Sequence, residues 1–339
     1  MRYCSRIDLG LLKFEKDKRK IEYLKQYNNL RDKFKNDSFL TSLLKEVSMI
    51  SYDYTDKLRL ENNRIHIIMN MNNKYIYPAI VSMNSILKNS NVNKTTIVYH
   101  ILCPEDLRRG NLNKLKSFLS IYPLNLEMIF YNMGNLFHNF KNNRFSEVTF
   151  YRLVTPIFIP VEKVIYLDSD ILAFEDLEEL YLFPQKNFYV SGFLDFLSDG
   201  LDYIGLKSER YINAGVILLN LDLIRKKKKY VFYPNIGILP SKFGIFNFES
   251  IFDIKYLYLK NIRLNLNLSE LVESFKHPAL MHYVLCNPKV WFPNSLYVKK
   301  YTRVGTIKKT LCKNHHDLWI EYAKNTCFYK EIKKYYKIK

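Results

Sequence analysis

Two aspartates, Asp168 and Asp170, stand two positions apart directly behind the apolar run Val164-Ile165-Tyr166-Leu167. Side chains at i and i+2 of an extended chain point the same way, so a strand continuing through this segment would set the two carboxylates side by side. Like charges at that spacing repel; a divalent cation removes the repulsion and keeps coordination positions open to phosphate oxygens. The run in front reads as a strand buried on both faces, and the ends of such strands are where open α/β sheets bind ligands. Two solvated aspartates opening a loop would be spelled the same way. The buried strand ahead of them is what favours a site.

The segments around this run supply its setting. Arg64–Met69, Thr96–Cys103, Leu126–Tyr131, Lys163–Leu172, Phe188–Phe193 and Ala214–Asn220 read as strands, with helical patterns over Pro78–Leu87 and Asp106–Leu119. Strands alternating with helices predict βαβ units in a mostly parallel sheet, the α/β class. Residues 1–62 read as a polar helical extension. Ile21, Leu24, Tyr27, Leu30 and Phe34 recur at helical steps there, and Asp37 or Ser38 is placed to cap a second helix. The expected layout is a helical extension over 1–62, a main domain over 63–300 and a helical tail over 301–339.

Composition narrows the function classes. A hydrophobic fraction of 48% in 339 residues excludes a disordered tail protein. Lys+Arg at 52 against Asp+Glu at 33 gives a net charge of +19, which attracts phosphates, anionic lipid or nucleic acid. The lysines are scattered through every segment, which reads as compositional bias; with no reading module, a nucleic-acid partner is not expected. Five cysteines without a C-x-x-C pair suggest neither a disulfide framework nor a cysteine zinc site. The start lacks the apolar core of a signal peptide, and no run approaches the ~20 apolar residues of a membrane helix, so a cytoplasmic or peripheral membrane protein is expected.

Several further motifs share one order with the aspartates: Phe150-Tyr151-Arg152-Leu153, Gly192-Phe193-Leu194-Asp195, Asn213-Ala214-Gly215-Val216, and His282 followed by Pro288-Lys289-Val290-Trp291. In this order, from residue 65 to about 329, the chain resembles the family 8 glycosyltransferases. The resemblance implies a GT-A, Rossmann-like nucleotide-diphospho-sugar transferase fold that moves a hexose from a UDP-sugar with retention of configuration. It implies that Asp168, Asp170 and His282 are ligands of Mn²⁺ or Mg²⁺, and that Lys289 pairs with the diphosphate. Asn70, Asn72, Tyr75 and Ser169 would complete the nucleotide side, Tyr75 stacking on the uracil. Arg152, Asp195, Asn213 and Ala214 would face the donor sugar. The implied acceptor is a glycan, a lipid-linked sugar or a protein, and the basic surface leaves a peripheral membrane contact open.

The chain departs from the family pattern at three places. Asn72 stands where an aspartate accepts a bond from the uracil NH, and an amide carbonyl accepts it without charge assistance. Lys289-Val290-Trp291 replaces Lys-Pro-Trp. Between Asn220 and Pro240 the sequence leaves no room for the helix and the Asp-Gln pair that in the family faces the donor sugar, and the chain's glutamines are Gln26 and Gln185. Two readings therefore stand: an active transferase, or a relative that binds nucleotide or glycan without turnover.

Overall fold

The computed structural model describes residues 4–55, 63–91, 93–121, 125–140, 146–194, 212–228, 236–238, 245–247, 279–283, 289–293, 301–302, 305–306 and 310–338. The chain divides into two compact units, one of residues 1–72, 92–164 and 220–234, the other of 73–91, 165–219 and 235–339.

The first unit is built on four strands, β1 (Ser48–Tyr54), β2 (Asn63–Asn70), β3 (Thr95–Cys103) and β4 (Leu126–Asn132), in the order β1-β4-β3-β2. Strands β2, β3 and β4 are parallel, Ile65 opposite Ile97 and Ile97 opposite Leu126. All nine residues of β3 are buried, as expected of a strand covered on both faces. Helix α1 (Cys4–Asp32) contributes Tyr23, Tyr27 and Leu30 to the core, and α2 (Ser38–Glu46) starts on the Asp37 carboxylate, which accepts the Leu40 amide at 2.9 Å. The helical reading of 1–62 thus holds as far as Glu46. Ser48–Tyr54 is instead a strand, antiparallel to β4 at the edge of the sheet. Its polar residues Ser48, Ser51 and Asp53 suit an edge position.

Beneath α1 lies a buried polar network. The fully buried Glu127 takes Arg19 at 2.7 Å and Arg64 at 2.6 Å and accepts the Tyr52 hydroxyl. His66 Nδ1 lies 3.0 Å from His100 Nε2, and Tyr23 and Tyr131 share a hydroxyl bond beside them. Two guanidinium partners and a hydroxyl give the buried carboxylate the pairing it requires.

The second unit contains α3 (Ile76–Asn89), the end of β5 (Lys163–Leu167), β6 (Ile171–Ala173), α5 (Glu178–Leu182), β7 (Val190–Leu194), β8 (Ile212–Asn220), β9 (Ile236–Ile238), β10 (Ile245–Asn247) and β11 (Leu280–His282). The strands β5-β8-β7-β9 follow one another in that order, with β7 antiparallel to β8 and parallel to β9. A second, small sheet runs β10-β11-β6, β11 parallel to β10 and antiparallel to β6. Near the C-terminus come α7 (Thr310–Lys324) and α8 (Tyr329–Tyr336). Their Trp319 and Tyr336 pack on the buried Trp291, with ring centroids 5.8 and 6.2 Å away. The architecture is α/β with mixed, mostly parallel strands, as the sequence led one to expect. Helix α4 (Arg109–Ile121) leads from β3 to β4, and α6 (Leu221–Lys226) follows β8.

That last helix corrects the sequence reading of 221–240 as too short for one. The Asn220 side chain accepts the Leu223 amide at 3.0 Å, and Asp222 pairs with Lys226 one turn on at 2.6 Å. A cap and an i,i+4 pair suffice to start a helix of six residues.

Candidate metal and nucleotide site

Strand β5 is buried from Val164 to Leu167 and stops there. The Asp168 amide makes one more bond, to the Gly215 carbonyl at 2.8 Å, after which the chain turns through Ser169 and Asp170 into β6. The aspartates are therefore not neighbours on one continuing strand. They are brought together by the small sheet, whose register sets His282 opposite Ile171. His282 Nε2 lies 3.4 Å from Asp168 Oδ2 and 3.3 Å from Asp170 Oδ1. Among the described residues this is the one group of three or more His, Cys, Asp or Glu side chains that could share a metal ion.

Two residues of β8 hold the imidazole in place. The Asn213 side-chain oxygen accepts the Gly215 amide at 2.9 Å and lies 3.1 Å from His282 Nδ1. An oxygen already accepting an N–H is an acceptor toward the ring as well, so Nδ1 carries a proton. Nε2 is left to face the carboxylates, the arrangement in which an imidazole offers its lone pair to a metal. Gly215 makes room for the ring: a Cβ there would lie 2.2 Å from His282 Cε1 and 2.6 Å from Nδ1. Glycine is needed here for space.

Lys289 adds a second positive charge. Its ammonium donates to Asp170 Oδ2 at 2.5 Å and to the Tyr283 carbonyl at 2.7 Å, and lies 6.0 Å from the centre of the Trp291 ring. Burial by itself would raise the Asp170 carboxyl, but Lys289 and then His282 outweigh it and hold the group well below the usual carboxylate range. His282 goes the other way. Burial would lower it, but the two carboxylates push it up to about 9. Asp168 also accepts the Tyr166 hydroxyl. Two carboxylate oxygens and an imidazole nitrogen form a mixed hard and borderline donor set of the kind that suits Mn²⁺ or Mg²⁺.

Of the other residues singled out in the sequence, Tyr75 closes the turn before α3, half-buried, its ring edge-on to Trp291 with centroids 5.9 Å apart. Burial raises its hydroxyl pKa, Lys289 pulls against this, and Asp170 and Asp168 add to the rise, so the ring senses the charges of the site. Ser169 is buried in the turn between the aspartates. Ala214 is the exposed residue between buried Asn213 and Gly215. Asn70 ends β2 and donates to the Val148 carbonyl at 2.8 Å, and Asn72 lies in the turn that follows. Arg152 belongs to the 3₁₀ stretch Glu147–Ile157, its Nε on the Thr149 carbonyl at 2.9 Å. Asp195 lies outside the described residues, as do 229–235 and 239–244 of the shortened connection. Gln185 is committed elsewhere in its unit, its amide on the Leu218 carbonyl at 2.8 Å and the Ser191 hydroxyl at 3.2 Å. The packing role of Gly215 and the tie between Asn213 and His282 were missed in the sequence. The one signal for either was the Asn-Ala-Gly-Val spelling itself.

The family model described as glycosyl transferase family 8 matches residues 66–237, half of the chain. A Haemophilus influenzae protein named "Putative glycosyltransferase" is 28% identical over 183 residues, which are 51% of this chain and 53% of that protein. The chain spans about half the length of the curated relatives it matches. Among solved structures, the galactosyltransferase LgtC in complex with donor and acceptor sugar analogues superposes with a TM-score of 0.55 at 18% identity, over 78% of this chain and 96% of that one. The bifunctional glycosyltransferase WbbM superposes at 0.59 and 18% identity, over 81% of this chain and 52% of that one. At those identities the likeness is one of fold, the GT-A type.

Proposed function

The chain belongs to glycosyl transferase family 8, and on that premise we propose that it is a metal-dependent hexosyltransferase that takes its sugar from a UDP-hexose and retains the anomeric configuration. The observation that carries this reading is the convergence of Asp168, Asp170 and His282, with Lys289 alongside, at the end of a buried strand. Asp168, Asp170 and His282 would hold a divalent ion, which when bound would supply Lewis-acid stabilisation of the leaving diphosphate. The chain's own groups do the rest. Lys289 brings a cation to the same phosphates, Tyr75 offers its ring to the base, Asn72 accepts the uracil NH, and Asn70 and Ser169 shape the turns around them. Asn213 keeps the imidazole in its working tautomer, and Ala214, Arg152 and Asp195 face the donor sugar. The acceptor is a glycan, a lipid-linked sugar or a protein.

A binder without turnover is the second reading. It is favoured by Gln185, whose amide is tied to the Leu218 carbonyl and does not stand in for the Asp-Gln pair. One experiment separates the two: calorimetry of UDP binding with and without Mn²⁺, followed by UDP release from UDP-hexoses. Metal-dependent binding with release supports the transferase, and binding without release supports the second reading. UDP binding that ignores Mn²⁺ and survives Asp170→Asn refutes the metal-dependent transferase and leaves the second reading standing.

A further inference from the structure

Lys289 and the metal want the same carboxylate. Both Asp170 oxygens are engaged, Oδ1 by His282 at 3.3 Å and Oδ2 by the Lys289 ammonium at 2.5 Å. The carboxylate is 9% exposed, so little water screens a second cation on it from the ammonium. Lys289 is held in this place from two further directions, by the Tyr283 carbonyl, one residue beyond His282, and by the ring of Trp291, which also meets Tyr75 edge-on.

We propose that Lys289 is a built-in counter-ion, which neutralises Asp170 when no metal is bound and is released to the diphosphate when the metal displaces it, so that metal and UDP each favour the other's binding. The proposal rests on the metal site described under the proposed function and adds a regulation of that site. Without nucleotide, an entering ion takes the Asp170 carboxylate from the ammonium and gives it no anion in exchange. With nucleotide present, the ammonium exchanges one anion for another and the cost is recovered. Coupling of this kind is reciprocal between the two ligands. Removing the ammonium should therefore tighten metal binding in the absence of nucleotide, the opposite of what a residue that merely supports the site would do.

The test is titration calorimetry of Mn²⁺ into the full chain, with and without UDP, for the wild type, Lys289→Met and Lys289→Gln. Circular dichroism melts identify which variants fold, and the second substitution covers a failure of the first. The expected result is that a folded variant binds Mn²⁺ alone about tenfold more tightly than the wild type, and that the gain in Mn²⁺ affinity produced by UDP shrinks by a similar factor, within the ~5–150-fold range of site-to-site couplings. Folded variants that bind Mn²⁺ alone no more tightly than the wild type overturn the counter-ion proposal and leave the metal site standing. A wild type that takes up no Mn²⁺, with UDP or without it, overturns the metal site itself.

Discussion

Gly215→Ala is a one-methyl change whose consequence can be worked out from distances. The added Cβ would meet three atoms of the His282 ring at 2.2, 2.6 and 2.7 Å, whereas ordinary contact begins at 3.4 Å. The shortfall is about 1 Å against a ring that is 2% exposed and held by Asn213 on one side and two carboxylates on the other. The ring has no free direction in which to retreat. Either it moves by about that distance and loses the Asn213 bond and its convergence on the carboxylates, or β8 moves and weakens the Asp168–Gly215 bond. Overpacking of this size costs ~1–3 kcal/mol of stability, and displacing a ligand from its orienting partner lowers metal affinity by ~10–100-fold. Urea denaturation and Mn²⁺ calorimetry measure the two effects. Gly192→Ala is the control: the nearest atoms to its Cβ would be those of the Ile212 side chain, from 2.7 Å, and not the His282 ring, so it should lose stability and keep its metal affinity. A Gly215→Ala protein with wild-type affinity for Mn²⁺ would refute the idea that this glycine exists to seat the imidazole.

Other outcomes follow from the same geometry. Asn213→Ala should weaken Mn²⁺ binding by ~10–100-fold while Asn213→Asp, which keeps an oxygen facing Nδ1, restores most of it; equal binding by both would remove Asn213 from the orienting role. In the buried network of the first unit, burial and then the Arg64 charge push His100 down to about 3, and His66 also lies well below its ordinary value. A histidine held neutral in the fold contributes stability that is complete above the unfolded value of 6.5 and is lost as pH falls toward about 3. At pH 5 the loss from His100 is ~2 kcal/mol, 1.5 units at ~1.4 kcal/mol each. Urea midpoints at pH 8 and pH 5 should therefore lie further apart in the wild type than in His100→Gln, and an unchanged separation would show that His100 is not the group titrating.

The strand before the aspartates was legible because a parallel strand buried on both faces is apolar without interruption, which a sequence displays directly. Asp168, Asp170 and His282 were singled out through the family's spelling of them, and the structure brings the three together. The geometry that unites them was not legible. Asp168 and Asp170 were expected to align on one strand, whereas the chain turns between them and His282 reaches them through the β6–β11 pairing. Three-residue strands carry too few residues to show a period. Strand β1 was hidden among helical segments for a related reason: its pairing with β4 is set by partners more than 70 positions away in the chain. Helix α6 escaped notice because its start rests on one Asn220 side chain.

The pairing of β6 with β11 also sets an order of events during synthesis. The two acidic residues leave the ribosome more than a hundred residues ahead of the histidine and lysine that complete their surroundings. Until then a pair of negative charges waits at the end of an apolar strand with neither cation to offset it. Closing so long a loop is slow and entropically costly, which makes this corner of the molecule one of the last to become native.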